Sequence, residues 1–365
     1  MRQSLLIRSL LLSSSALCSA PDSSCNQDGV SSLHLRSPPY ENYFISDCRS
    51  AGQVVVTSPL EESDLTIIGP RVIFAWPAGN SGVVAYFAPG NGINGTLGIK
   101  LVNSTSGSPL GSIYLPKRTP QDGGADATYG IATAIEFNSS ARLTVSILGS
   151  IRTVRDFVEG PSLLRPEIQS ANKYEVITDG SAVVSRLWLD NVTTTTLSFT
   201  PTSGETIKLD NKTLSFDAGT YTLNASLNYP QLEQLSPQEV LRPDALAEAS
   251  GERDQVDSLA FLSYNTKLLA GAWRFLTYFG RDSMIAALLL QPVLSQGKGG
   301  AIEAVIAAVL ERVNATDGSV CHEETIGSVT AHRRSSMFLV ALTVQQGLCH
   351  LAQSAGQHHQ HRPTV

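Results

Sequence analysis

The sequence predicts a multidomain β + α protein in which an antiparallel β-sandwich comes first and a helical domain follows. From about Gln53 to Leu227, short β-branched runs such as "RVIFAW" and "GTYTLNASL" alternate with turns rich in Gly, Asn, Pro and Asp. That pattern is typical of a large antiparallel sandwich. After Asp257 the apolar residues recur at helical spacing instead. At 365 residues the chain is long enough for two hydrophobic cores.

The composition changes along the chain mark the boundaries between these parts. We place the sandwich domain over 21–227, a linker over 228–256, a helical domain over 257–329 and an atypical tail over 330–365. In the linker, prolines and charged residues rise while β-branched residues become sparse. The tail holds five of the seven histidines and ends in "HHQHRPTV". Its histidine spacing matches no metal-ligand pattern, and we interpret it as an incomplete or misjoined C-terminus.

Residues 1–20 predict secretion. "MRQSLLIRSLLLSSSALCSA" has a basic start, a short apolar middle and small residues at Cys18 and Ala20, as a signal peptide does. A buried N-terminal helix is the alternative. No later apolar run approaches the ~20 residues that cross a bilayer, so we expect no membrane partner. Cys25 and Cys48 then lie near the mature N-terminus in an oxidising compartment, as a candidate local disulfide.

Candidate N-glycosylation sites support the same compartment. Seven N-x-S/T sequons occur in the sequence: Asn94, Asn103, Asn138, Asn191, Asn211, Asn224 and Asn314. Six of them fall between residues 94 and 226. We therefore expect the β-rich region to expose many loops.

Two motifs suggest a cofactor, but their surroundings argue against one. "GNGING" over 90–95 has the glycine spacing of a dinucleotide loop, yet the strand "TLGIKLV" follows it where that loop needs a helix. "HEETI" over 322–326 begins like a zinc-protease motif, but Ile326 occupies the place of the second histidine. We expect neither cofactor nor metal. The net charge of −6 gives no basic footprint for nucleic acid.

Three segments after Asp257 have helical patterns. "DSLAFLSYNTKLLAGAW" over 257–273 places its leucines and Trp273 broadly on one face. "DSMIAALLLQPVL" over 282–294 is almost wholly apolar, which predicts a helix that is buried on all sides. "GGAIEAVIAAVLERV" over 299–313 is amphipathic, with Ile302, Val305, Ile306 and Val309 on one stripe. A buried helix followed by an amphipathic one resembles the inner and outer helices of an α-hairpin barrel.

Two polar clusters at the ends of these helices are candidate site residues. In "TYFGRDS", Asp282 or Ser283 is suited to cap a helix beginning at Met284, and Arg281 with Asp282 equally suits the wall of a polar pocket. The next cluster is "HEET" over 322–325. Glu323 and Glu324 are suited either to cap the start of a helix or, together with His322, to line the same pocket.

The spacing of these clusters favours the pocket. Asp282 and Glu323 are 41 residues apart, which is the length of one α-hairpin. Stacked hairpins bring equivalent points to the same end of an assembly. Arg and carboxylate groups there would hydrogen-bond vicinal hydroxyls, and aromatic side chains such as Trp273 and Tyr278 would stack on sugar rings. Paired carboxylates are also the minimum equipment for glycoside hydrolysis.

The same residues resemble a known family. "LLAGAWRFLTYFGRDSMIAALLLQPVL" followed by "GSVCHEETIG" is similar to the start of the catalytic domain of six-hairpin glycosidases. The resemblance is strongest to a glycogen-debranching, amylo-α-1,6-glucosidase-like group of secreted fungal proteins. It covers about residues 265–328, while the β region agrees in kind only. The resemblance implies an N-terminal β-sandwich before an (α/α)6 toroid whose inner-helix mouths form the sugar pocket.

The resemblance also implies roles for individual residues. Arg281 and Asp282 match, by type and place, an Arg–Asp pair that binds hydroxyls of the sugar at the cleavage subsite. His322, Glu323 and Glu324 are further pocket residues, and either glutamate is a candidate general acid. A six-hairpin toroid needs roughly a dozen helices, and only three or four are predicted after residue 257. We therefore expect the toroid to be incomplete and the second carboxylate to be missing.

The resulting expectation is a secreted glycoside hydrolase of debranching or α-glucosidase type, whose activity the shortened helical domain puts in doubt. The alternative is a non-catalytic glycoprotein in which the sandwich serves as a carbohydrate-binding or cell-surface module. A glycan phosphorylase is a third option, but it requires a phosphate site that the sequence does not show. In each case the expected partner is a carbohydrate.

Overall fold

The structure is a computed structural model that describes residues 31–37, 39–46, 51–58, 69–77, 81–102, 110–114, 129–150, 169–188, 191, 193–228, 232–271, 278–314 and 316–320. The described part of the chain is mostly antiparallel β-sheet, with few helices. The prediction of an antiparallel β-rich N-terminal region is confirmed.

The described part of the chain before residue 228 contains fifteen strands. They are β1 Ser31–Ser37, β2 Tyr40–Ser46, β3 Ala51–Thr57, β4 Arg71–Trp76, β5 Ser81–Pro89, β6 Ile99–Val102, β7 Leu110–Tyr114, β8 Tyr129–Phe137, β9 Ala141–Ser150, β10 Lys173–Val176, β11 Ala182–Leu187, β12 Thr194–Pro201, β13 Ile207–Asp210, β14 Thr213–Phe216 and β15 Gly219–Leu227. Strands β1, β2, β7, β13 and β14 lie outside the runs that the sequence pattern predicted.

The strands form two sheets that share one core. The larger sheet has the order β1-β2-β3-β4-β5-β9-β14-β13, and the smaller has β10-β11-β12-β15-β8-β6, with β7 also paired to β8. Phe87 of the larger sheet and Phe199 of the smaller contact edge to face, with ring centroids 6.3 Å apart. Phe216 lies between them, 5.0 Å from Phe199 and 6.0 Å from Phe87. Aromatic packing therefore joins the sheets across their inner faces.

The larger sheet is covered on its outer face as well. Every residue of β3 and β4 is buried, whereas β12 and β15 alternate between buried and partly exposed positions. The outward residues of β3 and β4, such as Val55 and Ile73, pack with Phe261, Tyr264 and Leu269 from the segment after the sheets. Strands that are apolar on both faces require such a cover, and the continuous runs "QVVV" and "RVIFAW" reflect it.

The helical part begins inside the predicted linker. Its elements are α1 Pro237–Val240, α2 Pro243–Glu248, a 3-10 turn Ala249–Gly251, α3 Arg253–Leu262, strands β16 Ser263–Tyr264 and β17 Lys267–Leu268, α4 Gly280–Leu290 and α5 Ala301–Leu310. The helix expected over 257–273 is wrong beyond Leu262, because Ser263 pairs with Leu268 and Tyr264 with Lys267 in a tight hairpin. Tyr264 is fully buried, and its hydroxyl donates to the carbonyl of Phe261. Burying that ring on the sheet ends the helix.

Helices α4 and α5 form at the expected places, but the faces that they bury differ from the prediction. The small residues Gly280, Ser283 and Ala287 of α4 face inward, whereas Leu288 and Leu289 are each 72% exposed. The expectation that this helix is buried on all sides is therefore wrong. In α5, Ala301, Ala304, Val305 and Ala308 are buried while Ile306 is 54% exposed. Among the described helices, none is long and apolar enough to cross a membrane.

Among the described residues after Gly251, one α-hairpin is present, α4 with α5. One hairpin does not make a toroid, so the (α/α)6 arrangement stays a prediction.

Two carboxylates accept hydrogen bonds at the base of the β13–β14 hairpin and hold it in place. Asp217 accepts hydrogen bonds from the Thr206 hydroxyl at 2.6 Å and the Thr206 amide at 3.1 Å. Glu205 accepts from the amides of Ser203 and Thr220. The Thr206 hydrogen bonds lower the pKa of Asp217, because they stabilise its ionised form.

We expect Phe216→Ala to lower the free energy of unfolding by about 3–5 kcal/mol, the usual loss for a buried aromatic side chain. Phe216 is 2% exposed and contacts Phe87, Phe137, Phe199 and Tyr221. Urea unfolding followed by far-UV circular dichroism measures the change. Ser215→Ala, on the same strand, is the control. Equal midpoints for the two variants would contradict a shared core centred on Phe216.

We expect Asp217→Asn to weaken the acid sensitivity of the fold. A depressed carboxyl pKa stabilises the folded state above the unfolded value of about 3.9, and that stabilisation disappears as pH falls through the folded value. The wild type should therefore lose stability more steeply than Asp217→Asn below about pH 4. Urea midpoints across an acidic pH series test this, with exposed Asp210→Asn as the control. Parallel curves for wild type and Asp217→Asn would refute it.

Candidate functional site

The segment Tyr278–Ser283 leads into helix α4, and its inward residues hold that helix in place. Tyr278 is fully buried. A Cβ at Gly280 would lie 2.5 Å from the Tyr278 hydroxyl, so the ring folds back over a position that only glycine fills. The Ser283 hydroxyl donates to the carbonyl of Leu268 at 2.8 Å and joins the first turn to β17. These contacts explain the glycine and the serine of "FGRDS" as structural residues.

Arg281 and Asp282 instead point outward from the first turn. Their side chains are 65% and 45% exposed, and Nη2 of Arg281 lies 3.4 Å from Oδ2 of Asp282. The helix begins at Gly280 with Phe279 as its N-cap residue. The expectation that Asp282 or Ser283 caps a helix from Met284 is therefore wrong, since both lie inside the first turn. Asp282 still sits where the helix dipole favours a negative charge.

The end of α5 lies beside the start of α4. The guanidinium carbon of Arg312 is 4.4 Å from the ring centroid of Tyr278, a close cation–π contact. Arg312 also donates from Nη1 to the carbonyl of Ala308. Beyond it, Val313 and Val320 form a β-bridge that turns the chain back at this end of the hairpin. The two helices are therefore antiparallel, and Val320 lies at the same end as Arg281 and Asp282.

Tyr278 acts as a packing residue in this arrangement. With the guanidinium of Arg312 over its ring and no exposed surface, Tyr278 does not present a face for a sugar in this conformation. The sequence pattern carried no signal for this role, because Arg312 follows Tyr278 by a whole hairpin.

Several predicted site residues lie outside the described part of the chain: Trp273, His322, Glu323, Glu324, Cys25, Cys48 and the sequon at Asn103. Of the other sequons, Asn94, Asn138, Asn191, Asn211 and Asn314 are exposed, and Asn224 on β15 is partly exposed. Surface exposure is the condition for glycosylation. Within the described ranges, no group of three or more His, Cys, Asp or Glu side chains is arranged to hold a metal ion.

A second polar feature lies on the outer face of the larger sheet. Arg71, the first residue of β4, is 0% exposed, and no atom of the described chain forms a hydrogen bond with its three guanidinium nitrogens. The rings of Tyr40 and Tyr86 lie on it, each with its centroid 5.8 Å from the guanidinium carbon. Burial raises the pKa of the Tyr86 phenol, and the neighbouring guanidinium opposes that rise.

The typical free energy of a cation–π contact is smaller than the typical cost of burying a guanidinium, so the two rings do not balance the burial of Arg71. Removing a guanidinium from water has an effective cost of several kcal/mol, while a desolvated cation–π contact returns about 2 kcal/mol. Each donor left without an acceptor costs about 1–3 kcal/mol more. A buried cation therefore needs an acceptor with negative charge.

Comparison with models of known protein families gives no match, and comparison with curated proteins gives no significant similarity.

We expect Arg312→Ala to lower the free energy of unfolding by about 0.5–2 kcal/mol, because it removes the cation from the Tyr278 ring. Arg312→Lys keeps the charge but loses the planar stacking group. Its free energy of unfolding should therefore fall between those of the wild type and Arg312→Ala. Urea unfolding of the three proteins at one pH measures the order. A variant Arg312→Ala as stable as the wild type would show that this contact does not hold the hairpin end.

Proposed function

We propose that this chain is a secreted glycoside hydrolase of debranching or α-glucosidase type, and that Arg281 and Asp282 hold the sugar. The supporting observation is that the residues of Tyr278–Ser283 divide into buried packing residues and exposed polar residues. Tyr278, Gly280 and Ser283 are committed to packing, whereas Arg281 and Asp282 are presented to solvent from a fixed helical turn. A guanidinium and a carboxylate on a rigid element suit the paired hydroxyls of a pyranose.

The hairpin geometry supports including the second cluster in the same pocket. Val320 lies at the Arg281–Asp282 end, and His322 follows it by two residues. Glu323 and Glu324 are then the candidates for the general acid, which protonates the glycosidic oxygen while a second carboxylate activates water or attacks the sugar. Asp282 itself does not suit the acid role, because a general acid of a glycosidase lies in an enclosed, partly apolar position and this carboxylate is 45% exposed.

The exposure of Asp282 favours a second candidate, a carbohydrate-binding function without hydrolysis. Binding requires only hydroxyl recognition, which the exposed pair offers. In this case the two-sheet region would be a glycosylated β-sandwich, and the α4–α5 hairpin attached to it would bind the carbohydrate.

The test is release of glucose from maltooligosaccharides and from a branched glucan by the secreted protein. We expect Glu323→Gln or Glu324→Gln to reduce turnover by about 10²–10⁴-fold, as loss of a general acid does. Asp282→Asn should weaken substrate binding by about 10–100-fold, since it removes a charged hydrogen-bond acceptor. Glu248→Gln, an exposed carboxylate on α2, is the matched control and should match the wild type.

The outcomes separate the two candidates. Turnover that depends on Glu323 or Glu324 supports the hydrolase. Glucan retention in affinity electrophoresis that Asp282→Asn abolishes, with no glucose released, supports the binding module. Neither turnover nor retention, or values unchanged by all three site variants, would refute a sugar site at this hairpin end.

A further inference from the structure

The unbalanced charge of Arg71 belongs to a row of four side chains across four strands. Tyr40 of β2 is the register partner of Thr57 in β3, Thr57 is the partner of Arg71 in β4, and Arg71 is the partner of Tyr86 in β5. Partners in adjacent strands lie on the same face, which here is the outer face that packs against α3 and β16. The row therefore lies at the junction of the sheet with the helical part.

Two members of the row are donors without an acceptor at hydrogen-bonding distance. Within the described chain, no hydrogen bond of standard geometry reaches a guanidinium nitrogen of Arg71 or the hydroxyl of Thr57, which is 1% exposed. The Tyr86 phenol is the neighbouring polar group that interacts with the guanidinium. No carboxylate of a described residue is within ion-pair distance of Arg71. Thr57 and Arg71 are register partners on one face, and a guanidinium fork together with a hydroxyl matches the oxygens of a carboxylate or a phosphate, which accept several hydrogen bonds at once.

The tyrosines define the walls of this position and its access. Tyr86 is buried, and Tyr40 is partly exposed at the start of β2. The row is therefore closed towards β5 and reaches solvent at Tyr40.

We propose that Arg71 and Thr57 form a binding site for a small oxyanion, carrying a carboxylate or phosphate group, beneath the helical part of the protein. The rings of Tyr40 and Tyr86 flank the guanidinium and keep it in place. The bound anion neutralises the buried charge, so binding strengthens the contact between sheet and helices. This site is independent of the sugar site, which recognises neutral hydroxyls.

The experiment measures urea unfolding of the full chain in potassium phosphate and in potassium acetate, each against potassium chloride at equal ionic strength. Wild type should be stabilised by one or both oxyanions beyond the effect of chloride. A concentration 100 times the Kd should shift the folding equilibrium roughly 100-fold. Phosphate-only and acetate-only responses identify which group the site takes.

Three variants assign the effect to this row. Arg71→Met should abolish the specific response, while Arg142→Met, an exposed arginine on β9, should keep it. Thr57→Val removes only the hydroxyl and should weaken the anion response by about tenfold. If Arg71→Met does not fold, Thr57→Val still decides the result. Because phosphate also stabilises proteins by exclusion from their surface, the difference between variants is the quantity that counts.

Two results would overturn the proposal. One is an equal response of wild type, Arg71→Met and Thr57→Val, which would leave only general salt effects. The other is no specific response in the wild type. The chain between β3 and β4 carries Glu61, Glu62 and Asp64. A loss of stability in Glu61→Gln, Glu62→Gln or Asp64→Asn that Arg71→Met also shows would then mean that Arg71 is neutralised internally. Loss of glucose release in any of these variants has no bearing on the outcome.

Discussion

The contact between the outer face of the larger sheet and the patch formed by Phe261, Tyr264 and Leu269 determines the position of everything that follows the sheets. Val55 and Ile73 are fully buried on a face that would otherwise meet water, and apolar burial of this extent is the main stabilising contribution in a fold. The chain meets this requirement by ending α3 at the sheet and turning sharply through β16 and β17. Ser283 then hydrogen-bonds to Leu268, so the first turn of α4, with Arg281 and Asp282, is fixed relative to the sheet.

The strongly apolar strands could be predicted from the sequence, and the marginal ones could not. The run "RVIFAW" predicts β4, because both faces of that strand are buried and its residues are therefore nearly all apolar. β1 and β2 carry polar side chains that meet each other, as where Glu41 accepts from His34 at 2.6 Å and pairs with Arg36 at 2.9 Å. β1 has only two apolar residues, Leu33 and Leu35, which is too short a pattern to identify a half-buried strand. The β13–β14 hairpin was missed for a related reason, since its signal lies in a two-residue turn at Asn211 and Lys212, both at positive φ.

The candidate site was predictable in its exposed residues and not in its supporting ones. The spacing between the two polar clusters pointed to one hairpin, and α4 and α5 have that connection. What the pattern could not contain is the long-range contact between Arg312 and Tyr278, or the close approach that explains Gly280. The burial of α4 was mispredicted because composition alone does not tell which side of a helix meets its neighbour. Small residues lie inward there, so the helix approaches closely and its large side chains are left outside.

The exposed large apolar side chains of α4 have a practical consequence for work with the protein. Met284 and Leu288 form an exposed apolar ridge beside Ile306 and Leu310, and Ile285 and Leu289 of the same helix are exposed as well. An apolar ridge of this kind promotes self-association as concentration rises. The ridge contributes little to the internal packing of the hairpin, which depends on Ala287 and Val305. Polar residues can therefore be placed along it without disturbing the fold, and it offers the natural positions for improving solubility before crystallisation.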